Sequence, residues 1–412
     1  MKQGWEIRIL GDVCSFVRGP FGGSLKKNIF KPEGYAVYEQ QHAIYDQFNS
    51  IRYFIDEDKF NEMERFQLNS GDLIMSCSGT MGKIAIVPEN IKKGIINQAL
   101  LKLSPSEKVS NIFLKLWMQS ESFQDSLKEY SGGAAIQNVA SVKILKNIAI
   151  PLPPLPEQQR IVAILNEAFP AIAKAKANAE QNLKNAKELF ESYLQGVFDN
   201  KGVGWEEKTL GEVCEIKPPK KEARDKLKET DIVTFLPMKD LGVLNKEIIG
   251  IQEKQFKDVA GSYTYFADND VLLAKITPCF ENGKIGIARN LINGIGFGSS
   301  EYIIFRTDER IKPDFLYYFL SRKQIRKEGS KRMTGAVGHK RVSKDWIENY
   351  LFSFPTSKEE QWAIVKKLDV LSTETKKLEA IYQQKIQNLE ELKKSVLQKA
   401  FKGKLTEKEI IL

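Results

Sequence analysis

The most chemically suggestive stretch of the chain is Ser78-Gly79-Thr80-Met81-Gly82-Lys83, with glycines and hydroxyls ahead of a lysine, as in loops that cradle phosphates. The pattern G-x-x-x-x-G-K-[ST] needs glycine where Cys77 stands and a hydroxyl where Ile84 stands, so the match fails twice. A second version, Glu281-Asn282-Gly283-Lys284-Ile285, has Pro278 at the first glycine position and fails in the same places. Both stretches read as tight turns between strands. Thr80 and Lys83, or Asn282 and Lys284, could still offer donors to a nucleic-acid backbone.

Other chemistry finds no home. Cys14, Cys77, Cys214 and Cys279 lie far apart without C-x-x-C spacing, and only His42 and His339 could join them around a metal. No metal site is expected, and buried structural thiols are the better reading. The two histidines form no relay with any nucleophile the sequence singles out. The Asn/Asp-Pro-Pro-aromatic tetrapeptide of amino-group methyltransferases is absent, as is a glycine-rich turn for adenosylmethionine. No catalytic residues are assigned.

Polar and basic side chains gather instead at matching turns of two halves. The first offers Lys26, Lys27, Gln40, Gln41, His42, Ser76, Ser78, Thr80, Lys83, Asn97, Gln98 and Gln137. The second offers Lys217, Lys220, Lys221, Lys239, Lys275, Thr277, Asn282, Lys284, Ser299, Lys331, Arg332, His339, Lys340 and Arg341. Gln and Asn can pair bidentately with adenine, and Arg or Lys with guanine, as reading a major groove requires. Residues 321 to 344 are strongly basic, with Glu328 the lone acid. The whole chain carries 62 Lys+Arg against 53 Asp+Glu, a net charge of +9, which favours polyanionic partners.

The elements that must hold these turns are repeated. Gly4-Trp5-Glu6 and Leu10-Gly11-Asp12-Val13-Cys14 return as Gly204-Trp205-Glu206 and Leu210-Gly211-Glu212-Val213-Cys214. Glu157-Gln158 with Ile161-Val162 returns as Glu360-Gln361 with Ile364-Val365. Each copy is mixed α/β. Ile84–Val87, Val271–Leu273 and Tyr302–Phe305 read as strands, and Asn111–Tyr130 and Asp314–Glu328 as helices. Proline-bearing segments, Ile148–Pro156 and Phe352–Pro355, predict stiff extended exits.

A long helix follows each exit, so the expected order is a first domain over 1–156, a helix over 157–200, a second domain over 201–357, and a helix with tail over 358–412. Pro170 predicts a kink or restart in the first helix. Its stripe is Ile161, Leu165, Ala168, Ile172, Ala175, Ala179, Leu183, Ala186, Phe190, Tyr193 and Val197. The second offers a heptad seam of Leu371, Thr375, Leu378, Tyr382, Lys385, Leu389, Leu392, Val396 and Lys399. Neither stripe can stay exposed, so the helices are expected to pair antiparallel as a coiled coil. From residue 171 to 200, at about 1.5 Å per residue, such a rod spans roughly 45 Å, a little over one turn of B-DNA. At 412 residues and 42% hydrophobic content the chain is of ordinary soluble composition. It has no run of 18 apolar residues and no apolar leader in MKQGWEIRIL, so a cytoplasmic protein without membrane contact is expected.

These residues resemble a known family. Gly132-Gly133 through Gln137-Asn138-Val139, then Lys146 through Pro156 and Glu157-Gln158-Gln159-Arg160-Ile161-Val162, resemble the end of a target-recognition domain and the start of the spacer helix in specificity subunits of type I restriction-modification enzymes. Thr334-Gly335-Ala336-Val337-Gly338-His339-Lys340-Arg341-Val342-Ser343 followed by Glu360-Gln361 repeats the pattern. The resemblance implies a non-catalytic subunit whose two domains each read half of a split double-stranded DNA site, with the helices setting the gap and docking the methyltransferases. It also implies two methyltransferase subunits and two motor-nuclease (restriction) subunits as partners. Adenosylmethionine, ATP and Mg would belong to them, leaving no cofactor in this chain. Two alternatives stay open: a coiled-coil scaffold with protein-binding domains, and a single-chain methyltransferase or nuclease.

Overall fold

Continuous apolar runs in each half bury both faces of an antiparallel sheet, with Leu73 and Met75 in one core and Ile74 in another, and Val271 and Leu273 in one and Leu272 and Ala274 in another. In the first half the strand order is Cys14–Arg18, Leu100–Pro105, Leu73–Ser76, Ile84–Ile86; in the second it is Cys214–Ile216, Tyr302–Thr307, Val271–Ala274, Ile285–Ile287. The structure, a computed structural model, describes residues 2–130, 141–336 and 338–405. A second sheet completes each half. It is ordered Tyr53–Ile55, Tyr35–Tyr38, Gly94–Ile96 in the first, and Gln252–Gln255, Ile232–Leu236, Ile295–Gly298, Thr264–Ala267 in the second. The chain divides into two compact units, Met1–Ala179 with Gln384–Leu412, and Glu180–Gln383, so each long helix contributes to both.

The exits are more ordered than free extended segments. Ala149–Leu152 pairs antiparallel with Glu6–Ile9, and Leu351–Pro355 with Trp205–Thr209. Pro151 is tolerated because this ribbon has only two strands, leaving one side of each without a ladder to complete. The two helices expected from continuous patterns are each broken. Asn111–Met118 is followed by Glu121–Tyr130, and Pro313–Ser321 by Lys323–Lys331. At the second break Arg322 turns extended (ψ 139°), donates from Nε to the Phe319 carbonyl, and lays its guanidinium over Phe319 and Phe198.

The long helices run Leu155–Asp199 and Lys358–Phe401. The first continues through Pro170 as one helix, without the restart that was one of the two expected outcomes. Packing around the proline helps hold it, with Leu165 fully buried and Phe169 packed on the core and under Lys393. The pair is antiparallel: Ile161 and Leu165 share a core with Leu397, Ala400 and Phe401, whereas Leu194 and Phe198 share one with Val365 and Leu368. The first stripe faces inward as read up to Phe190, after which Leu194 and Phe198 are buried and Tyr193 is left 44% exposed. In the second helix Thr375, Tyr382, Leu389 and Val396 face inward as read, but the alternate positions fall one residue later. Glu379, Ile386 and Ala400 are inward, while Leu378, Lys385, Leu392 and Lys399 are exposed. Leucines at 378 and 392 pull a sequence reading into the wrong register.

The repeated glutamines anchor helix to domain. Buried Gln158 accepts from Ser110 N–H at 2.8 Å and donates to the Lys108 and Pro153 carbonyls. Buried Gln361 accepts from Lys312 N–H at 2.9 Å and donates to the Arg310 and Pro355 carbonyls. The far ends are anchored by phenylalanines, Phe401 against Phe113 (5.3 Å) and Phe198 against Phe315 (5.2 Å).

Candidate nucleic-acid interface

Both phosphate-loop look-alikes connect adjacent antiparallel strands, Leu73–Ser76 to Ile84–Ile86 and Val271–Ala274 to Ile285–Ile287. A phosphate loop would lead from a strand into a helix; these are turns. Gly82 and Gly283 take φ of 72° and 79° immediately before Lys83 and Lys284. A side chain there would be strained by the backbone alone.

In the first unit the turn is tied to the helix Gln40–Tyr45. The Gln40 amide donates to the Ser78 carbonyl and accepts from the Ser78 hydroxyl, and Ser76 Oγ donates to the Thr80 carbonyl at 2.6 Å. Gln40, Ser78, Thr80 and exposed Lys83 therefore come together. Gln41 is half-buried in the same helix, and Gln98 is exposed on a separate turn, as are Lys26 and Lys27. His42 leaves the candidate set. It is 1% exposed, accepts from Glu39 N–H on Nδ1 and meets the Ser50 carbonyl through Nε2, a satisfied core histidine that caps its helix. Gln137 lies outside the described residues.

The second unit gathers more charge. Main-chain bonds join Val342 N–H to Lys275 O, Thr277 N–H to Lys340 O, and Arg341 with Thr334 in both directions. This small ribbon brings Lys275, Thr277, Lys340 and Arg341 to one place. Lys217, Lys220, Lys275, Arg341 and Lys344 then line a cleft of about 410 Å³ with Tyr263, Tyr265 and Tyr302. Burial pulls Lys275 below the usual lysine range, with Lys217 and Arg341 adding to it against Glu301. Burial lowers Lys220 too, followed by Arg224 and Lys217.

Several expected contacts stand elsewhere. Lys284 Nζ is spent on the Met238 and Lys239 carbonyls, leaving Lys239 and Asn282 exposed beside a different turn. Thr277 Oγ1 donates to Glu281. Arg332 lies over Trp346 and donates to the Glu328 carbonyl. Lys221 opens the exposed face of a short helix, and His339 is exposed next to Arg341. The reading of residue types missed the tyrosines, although Tyr263 and Tyr265, two apart on an extended stretch, share a face. It also missed Glu301, whose carboxylate accepts two bonds from the Arg341 guanidinium at 2.9 and 2.7 Å.

Burial pushes Cys14, Cys77 and Cys214 up to about 12, which makes them poor nucleophiles, while Cys279 is half-buried. Among the described residues no cluster of three His, Cys, Asp or Glu could hold a metal, and no helix is long and apolar enough to cross a membrane.

Known proteins share this architecture. The chain is 36% identical over 173 residues to the EcoAI type I restriction enzyme specificity subunit of Escherichia coli, covering 41% of this chain and 28% of that protein. It thus matches about a quarter of the length of EcoAI, and likewise of the EcoEI specificity subunit (26%). It is 25% identical to the MjaVIII specificity subunit of Methanocaldococcus jannaschii, across 100% of this chain and 95% of that one. The HsdS subunit from Thermoanaerobacter tengcongensis has the same fold, with a TM-score of 0.62 at 21% identity over 98% of each chain. A chain solved for the assembly and conformational transition of the type I R-M system superposes with a TM-score of 0.73 at 20% identity, over 98% of this chain and 99% of that one. Residues 2–182 and 202–391 each match the type I restriction modification DNA specificity domain, and the chain belongs to that family.

Proposed function

We propose that this chain is the DNA-recognition subunit of a type I restriction-modification complex, each domain reading one half of an asymmetric, split site on double-stranded DNA. The observation that carries the reading is the pairing of one framework with two differently furnished turns, since identical readers would read identical half-sites. Lys26, Lys27, Lys83, Lys239 and Lys340 are exposed donors for phosphates, whereas Gln98, Asn282 and His339 are the candidates for base edges. The long helices set the gap between half-sites and dock two methyltransferase subunits. An exposed apolar strip of Leu189, Tyr193, Trp362 and Val370 in the second unit supports that docking. Two motor-nuclease subunits complete the assembly in the cytoplasm. Adenosylmethionine, ATP and Mg bind to these partners, and the chain itself does no chemistry.

The test is selection of a random duplex library by the purified chain with its methyltransferases. Enrichment of two unlike motifs at one fixed gap is expected. Sequence-insensitive retention, or methyl transfer by the chain alone, would contradict the reading.

A further inference from the structure

The backbone of Arg341 is pinned to Thr334 on one side and bridged to Ile276 on the other, so its guanidinium projects from a fixed point. One edge of that fork is occupied by a single carboxylate, with Nε donating to Glu301 Oε2 at 2.9 Å and Nη2 to Oε1 at 2.7 Å, while Nη1 donates to the His339 carbonyl at 2.9 Å. A bidentate carboxylate presents the same two-oxygen geometry as a phosphate. The bond to Arg341 also holds Glu301 below the usual carboxylate range, ahead of an opposing burial effect and of help from Lys275.

Around this pair the cleft holds Lys217, Lys220, Lys275 and Lys344, of which Lys344 is paired with Glu348 at 2.8 Å. Lys220 and Lys275 donate to main-chain carbonyls, and Lys217 makes no ion pair among the described residues. Lys217 also takes φ 66°, a left-handed conformation that lysine rarely adopts and that is found preferentially at functional sites. Tyr263, the partly exposed tyrosine of the cleft, lends an aromatic surface, and about 410 Å³ suits one nucleotide.

We propose that this cleft seats one phosphorylated nucleotide unit and that Glu301 occupies the phosphate position until a phosphate displaces it. The source of that phosphate, a DNA strand, rests on the function proposed above; a free nucleotide shares the chemistry and is the other source. Glu301 then acts as a latch that lowers affinity for DNA of every sequence, because each encounter must first exchange a carboxylate for a phosphate.

The test measures binding of the full-length chain to a labelled duplex of mixed sequence across a salt series, and to deoxyadenosine monophosphate by calorimetry. Glu301→Gln is expected to tighten duplex binding about two- to five-fold, the worth of one exposed ion pair. Arg341→Gln should weaken binding and flatten the log–log salt slope by about 0.9, one phosphate's share. Glu301→Gln should then have no effect in the Arg341→Gln background. Glu374→Gln, which removes the same charge from the second long helix, should leave affinity unchanged. Equal tightening by Glu301→Gln and Glu374→Gln, or tightening that persists without Arg341, overturns the proposal. If the wild-type chain binds no duplex, the DNA reading falls and the nucleotide arm decides. Saturable binding abolished by Arg341→Gln keeps the cleft as a nucleotide site, and no binding overturns it too.

Discussion

The turns after Leu73–Ser76 and after Val271–Ala274 sit on the same strand frame and end in the same glycine–lysine pair, yet they present opposite surfaces. Cys77 N–H donates to the Ala99 carbonyl at 2.9 Å; at the matching place Lys275 N–H donates to the Glu301 carbonyl at 2.9 Å. One half thus puts a buried thiol and a methyl group where the other puts a lysine and a latched carboxylate. The difference shows how one fold presents two unlike turns. Main-chain bonds and the sheet core are conserved between the copies, so side chains at the turn can change without moving the backbone that presents them.

Breaking the frame of one half should leave the other standing. Phe198→Ala removes a ring packed on Phe315 and Phe319 and should cost the second unit about 3–5 kcal/mol. Phe401→Ala should fall on the first unit instead. Denaturant unfolding followed by hydrogen exchange checks which unit loosens. Gln361→Leu strands the Lys312 N–H and the Arg310 and Pro355 carbonyls, for roughly 2–3 kcal/mol, again in the second unit.

Removing a contact at the turn should spare the fold and alter one half-site. Arg341→Ala is expected to weaken the second domain's hold on its half-site about ten-fold whatever the bases there, with the first domain's reading intact, measured as methylation of duplexes altered in one half at a time. Unchanged specificity and rate would remove Arg341 from the interface. The mildest change concerns the gap. Deleting four residues from each long helix shortens them by roughly 6 Å, nearly two base pairs, and the preferred gap should contract accordingly. Retention of the original gap would show that the helices do not set it.

Features carried by local pattern were legible in the sequence. The Gly-Trp and Leu-Gly-x-Val-Cys repeats announced two copies, and the apolar stripes announced the paired helices. What escaped depends on partners distant in sequence. Gln158 stood out as a repeated residue, but its role is set by bonds to Lys108 and Ser110, about fifty positions back. Arg341 looked like a free fork because Glu301 lies 40 residues away. The break at Arg322 likewise depends on Phe198, a residue of the long helix. His42 is the exception, since its partners Glu39 and Ser50 are only three and eight positions away, and the cap that Glu39 and His42 form on their short helix is a local feature that was overlooked.

On the function proposed above, two differently furnished domains on one frame read two different sequences a set distance apart. Sequencing of modified bases in genomic DNA, with the gene present and deleted, tests it most directly. Deletion is expected to erase methylation at one split, non-palindromic motif and at no other. An unaltered methylation pattern, or the loss of an unsplit palindromic motif, would contradict it.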